Sequence, residues 1–144
     1  MLVECKKSPY VNKKVVEGNI MVILDSIVDK RRLNLIIPHS RAVKKNEIHE
    51  IMTISEKNAA SGEVVNNVAY IGFFEVNGGG VIVTGDDVYI KGKLIGKVIG
   101  FDNTHMPNHQ NIVLFSVKNK TGLELNINLE DDILFKMVES RKDA

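Results

Sequence analysis

Most of the chain alternates short runs of Val, Ile and Leu with Gly, Asn or Asp, the punctuation of strands and turns. The clearest run sets Leu123, Leu125, Ile127 and Leu129 against Glu124, Asn126, Asn128 and Glu130. That period of two predicts a strand with one face for the core and one for water. Val113, Phe115 and Val117 alternate just before it, so residues 118–122 are expected to join the two as a hairpin. Residues 13–16 and 20–27, around Glu17-Gly18-Asn19, predict another hairpin. Asp29-Lys30-Arg31-Arg32 is expected to close a further one, with residues 33–37 as its next strand and Pro38 as its stop. In the middle, residues 64–76 predict a long strand, broken or bent at Gly72. Asn77-Gly78-Gly79-Gly80 should then turn as a hairpin into residues 81–84. The same glycines lack the spacing of a phosphate-binding loop.

Two segments favour helix. Residues 40–52 offer Ser40 as a cap, and a second helix would start at Asn128 with Glu130, Asp131 and Asp132 in its first turn. For the second, a strand competes, because Ile133, Phe135 and Met137 also alternate. Residues 55–62 are expected to form a polar loop. The basic segment 1–14 and the tail 140–144 are expected to be less ordered. Together these elements predict a mainly β domain: a small antiparallel barrel or sandwich with one or two short helices. A length of 144 residues suits a single domain over residues 1–144.

Composition narrows the function classes. With 19 basic against 18 acidic residues, the chain lacks the basic excess of nucleic-acid binders, so no nucleic-acid partner is expected. The only basic bias lies at Lys6, Lys7, Lys13 and Lys14. Cys5 is the sole cysteine, which excludes an internal disulfide and a cysteine-based zinc motif. The first residues lack the apolar run of a signal peptide, and the longest apolar runs are too short to span a bilayer. A cytoplasmic protein with no membrane partner is therefore expected. A homo-oligomer is also expected, since assembly would hide the strand edges of a small sheet.

Residues 81–92, VIVTGDDVYIKG, resemble the GD box of the cradle-loop β-barrels, with Gly85-Asp86 between two strands. The resemblance implies a barrel element in which Gly permits an unusual turn and Asp accepts backbone amides. It implies no activity, because such barrels carry many unrelated functions.

The chemistry concentrates in residues 100–113, GFDNTHMPNHQNIV. The connection is longer than a tight hairpin needs, and functional groups gather on such loops. His105 and His109 with Asp102 make a two-histidine, one-carboxylate set suited to a divalent metal, zinc or iron, with His39 as the natural third histidine. A metal-free ligand site would instead use Asn103, Thr104, Asn108, Gln110 and Asn111, with Arg41 for an anionic group. These amides also favour turns by themselves, so a purely structural loop stays open. The leading expectation is a small-ligand- or metal-binding barrel protein with its site at residues 102–111. The alternative is a non-catalytic, homo-oligomeric structural or interaction module. No activated nucleophile stands out, and the sequence names no reaction.

Overall fold

Val- and Ile-rich runs resolve into eleven strands in the computed structural model, which describes residues 9–56 and 59–138. They are β1 (Val16–Val28), β2 (Leu33–Asn34), β3 (Ser40–Val43), β4 (Ile48–Ile54), β5 (Val64–Val65), β6 (Val68–Val76), β7 (Gly80–Val83), β8 (Asp87–Ile90), β9 (Lys93–Asp102), β10 (Asn111–Phe115) and β11 (Asp132–Lys136). Among the described residues there is no helix, and so none long and apolar enough to cross a membrane.

Seven strands close into a barrel in the order β1-β11-β8-β9-β10-β4-β6, and β6 returns to β1. Strand directions cannot alternate all the way round a ring of seven. The odd member is accommodated at β10–β4, which run parallel, while the other neighbours are antiparallel. The expected mainly β barrel is thus antiparallel except at one junction. Its interior is filled by Phe74, Phe101, Phe135, Ile20 and Ile112, with the Phe74 and Phe135 rings 5.3 Å apart. The ribbon β3–β7 contributes Val43 and Ile82 to this core. The ribbon β2–β5 lies outside the wall, where Leu33, Leu35 and Val65 cover Met52, Ile54 and Val113 in a second core.

That double coverage explains why residues 40–52 form no helix. β4 is buried on both faces except at Ile48, so its sequence IHEIMTI shows no alternation. β-branched side chains favour the extended backbone, and the turn between β3 and β4 sets Asn46 at φ 74°. At the other end β11 is a strand, with Ile133 and Phe135 fully buried. Asn128 and Asp131 form a turn before it, the Asn128 amide donating to Asp131 Oδ2 at 2.7 Å.

Several hairpin expectations are corrected. β1 runs straight through Glu17-Gly18-Asn19, because a Cβ on Gly18 would collide with the Glu75 carbonyl of β6. Glycine there permits a close strand approach, not a turn. The turn after β1 exists, with Lys30 and Arg32 at positive φ, but β2 is short and pairs with β5. Residues 77–79 connect β6 to β7, yet β7 pairs with β3. The break in residues 64–76 falls at Asn66-Asn67; β6 continues through Gly72, but its register to both β1 and β4 shifts between Gly72 and Tyr70.

The largest correction is Leu123–Leu129, which forms no strand. Thr121-x-x-Glu124 is a reciprocal cap: the Thr121 amide donates to Glu124 Oε1 at 3.0 Å, and the Glu124 amide to Thr121 Oγ1 at 3.2 Å. The Leu125 amide then donates to the Thr121 carbonyl, closing one turn. Thr121→Ala is expected to cost about 1–2 kcal/mol in urea unfolding, since it loses the cap and the hydroxyl bond to Asp25.

Between β7 and β8, Gly85 takes φ 98°. Asp86 is buried, accepts the Val83 amide at 3.0 Å and pairs with Lys13 at 2.9 Å. The remainder of the basic segment, residues 1–8, and the tail 140–144 lie outside the described residues.

Candidate metal centre

The parallel junction positions the candidate site. Parallel neighbours begin at the same end of the sheet, so the loop that precedes β10 stands over the start of β4. In the register, Asn111 faces Glu50 of β4 on one side and Asp102 of β9 on the other. The loop itself is held by tight turns. The Met106 amide donates to the Asn103 carbonyl at 3.0 Å, the Asn108 amide to the His105 carbonyl at 2.9 Å, and the Met106–Pro107 bond is cis.

These turns carry His105 and His109 to Glu50. One ligand atom from each of the three lies within 4.8 Å of the others. His109 Nε2 is 3.2 Å from Glu50 Oε1, and the two imidazoles stack with centroids 5.0 Å apart. Donors bound about 2.1 Å from a tetrahedral zinc stand roughly 3.4 Å apart, so the His109–Glu50 pair already has that spacing. Glu50 and His109 are buried, while His105 is exposed and has room to adjust. The His109 and Phe73 rings pack in a T-shape with centroids 5.0 Å apart.

The protonation states follow from burial. Desolvation pushes the Glu50 carboxyl up to about 7, against the pull of His105 and Arg31. Desolvation also lowers His109, which keeps the imidazole neutral and able to offer a lone pair. Asn108 Nδ2 lies 2.8 Å from His109 Nδ1; a metal at Nε2 requires this amide turned over, so that its oxygen accepts the Nδ1 hydrogen.

Asp102, expected as the oxygen ligand, is committed elsewhere. Its carboxylate accepts the Asn34 amide at 3.0 Å, the Thr104 amide at 2.8 Å and the Asn111 side chain at 3.1 Å. It stitches β2 and the loop to the barrel wall. His39 lies apart from the cluster, its Nδ1 facing Ser61 Oγ at 3.3 Å and Thr84 Oγ1 at 3.5 Å. The amides serve the scaffold: Gln110 is buried, accepts from Arg41 Nε at 3.0 Å, and donates to the Asp102 carbonyl and Asn103 Oδ1. Asn103 and Thr104 are otherwise exposed. Asn111 is buried beside Glu50, and its Oδ1 has no hydrogen-bond partner among the described residues.

Glu50 was the residue missed from the sequence. Its signal was a single carboxylate inside the apolar run of β4, a placement that costs several kcal/mol unless the group is paired, protonated or bound to a cation. The neighbouring His49 points to the other face of β4. Both its nitrogens are engaged, Nε2 by Glu47 at 2.9 Å and Nδ1 by the Gln110 amide at 3.0 Å.

A family model matches residues 10–136, a span that includes the barrel, both ribbons and the three clustered side chains. The chain belongs to DUF6917, a family of unknown function. No curated protein and no solved structure matches it.

Proposed function

We propose that this protein binds a divalent transition-metal ion, zinc or iron(II), through Glu50, His105 and His109. The observation that carries the reading is the convergence of two imidazoles and a buried carboxylate within 4.8 Å. Two nitrogens and one oxygen suit either metal, and three protein ligands leave coordination positions for water or a small ligand. The unpartnered Asn111 Oδ1 beside Glu50 supports the reading, because a metal-bound water would offer it a donor.

The test is metal content of tag-free protein purified without chelators and then titrated with zinc or iron(II). Near-stoichiometric metal is expected in the parent. It should be lost in the His105→Ala, His109→Ala double variant and retained in His39→Ala. A parent that takes up no metal from either titration refutes the proposal, as does a double variant that binds normally.

A further inference from the structure

β9 has ten residues and β10 only five. β10 follows β9 from Asp102 back to Lys97, and there the pairing ends at Phe115. The chain then parts from β9, while the Ser116 amide makes a last bond to β4 at the Ile54 carbonyl, 2.9 Å away. On its other edge β9 stays paired with β8 down to Lys93. Residues 93–95 therefore have a strand on one edge and, among the described residues, none on the other. Such an edge presents a row of backbone donors and acceptors to whatever lies alongside.

What lies alongside is a groove of about 630 Å³, whose far bank comes from residues 116–118 and 124–126. Its charge is positive on balance, with four lysines to two carboxylates. Lys93, Lys118 and Lys120 are exposed, and among the described residues none of them is ion-paired. The two acids in the groove are already engaged: Asp87 with Lys97 at 2.8 Å, and Glu124 with the Thr121 amide. Leu94 and Val117 stand exposed at 59% and 81%, offering apolar contacts between the ammonium groups.

We propose that this groove takes an extended acidic segment of a partner protein, added as an antiparallel strand along residues 93–95 in the line that β10 vacates. Main-chain hydrogen bonds to the open edge would supply affinity, as in other strand-addition complexes. The unpaired lysines select glutamate or aspartate on one side of the segment, and Leu94 and Val117 accept apolar residues on the other. Charge complementarity and an open edge that ends beside the groove together favour a peptide over other occupants.

The test uses a short fluorescein-labelled peptide that alternates glutamate with valine, followed by anisotropy against the full chain. Binding is expected, weakening with added salt. It should weaken about tenfold or more in a Lys93→Glu, Lys118→Glu, Lys120→Glu variant, whose exposed positions leave the fold intact by circular dichroism. A version of the peptide N-methylated at every amide keeps the charge but can donate from neither edge, and it should bind far more weakly. Equal binding by the N-methylated peptide, or by the charge-reversed variant, overturns the proposal. So does a failure of the unmodified peptide to bind. A solution dimer by light scattering that the lysine variant converts to monomer would also overturn it, giving the edge to a second copy.

Discussion

Glu50→Gln is expected to stabilise the metal-free protein at pH 8 by about 3 kcal/mol and to leave it nearly unchanged at pH 4. Burial raises this carboxyl from an ordinary 4.5 to about 7 in the folded protein. A group whose folded value is raised binds its proton more tightly in the native state. Stability from Glu50 is therefore fully present below pH 4.5 and is lost as the pH rises through about 7. Glutamine keeps the shape of the protonated acid and removes that loss. Urea unfolding in the presence of a chelator, at both pH values, measures the difference. An equal effect of the substitution at pH 4 and pH 8 would show that the carboxyl carries no such burden.

The same substitution should act oppositely on metal binding. It removes an anionic ligand, and the expected loss exceeds the roughly 100-fold upper end seen when only an outer-shell partner is removed. In the parent, the cation competes with the Glu50 proton and with protons on the imidazoles, so affinity should fall by about tenfold or more per pH unit below pH 7. A purely structural glutamate would weaken the fold when replaced, not strengthen it. The opposite signs in stability and binding are therefore the signature of a carboxylate held for a ligand.

Gly122→Ala is expected to cost about 3 kcal/mol, the upper part of the range for overpacking. β1 and β6 separate where Leu24 and Asp25 of β1 stand opposite the single residue Ile71 of β6. The turn from Thr121 enters this bulge. Its Gly122 amide donates to the Tyr70 carbonyl at 3.1 Å and its Leu123 amide to the Leu24 carbonyl at 3.1 Å, satisfying groups the ladder leaves unpaired. A Cβ on Gly122 would collide with the Ile71 carbonyl and lie 2.9 Å from that of Leu24. Neither is a side chain that can swing aside. Gly85→Ala is the matched control. It meets nothing within 4 Å and suffers only from φ 98°, at about 1 kcal/mol. Comparable unfolding midpoints for the two variants would mean that the turn is not seated between the strands.

The same turn shows how a periodic pattern misleads. The alternation of Leu123 to Leu129 is perfect in sequence, but Leu123 and Leu129 are exposed in the fold while Ile127 is buried. A Thr-x-x-Glu cap, spelled out at Thr121 and Glu124, was the competing local signal. β4 misled in the other direction, because two cores on its two faces erased the alternation that strands usually show.

By itself, the sequence determined a chain of β-branched runs and turn residues with too few helix signals to build anything but a mainly β domain. It also placed His105 and His109 on one long polar loop. Only the tertiary structure decided which carboxylate joins them. Asp102, close in sequence, is used up by backbone and amide donors, whereas Glu50 is more than fifty positions away and arrives through the parallel pairing of β10 with β4. Strand order in a closed ring is set by long-range pairing, and local residue patterns do not encode which distant strand becomes a neighbour.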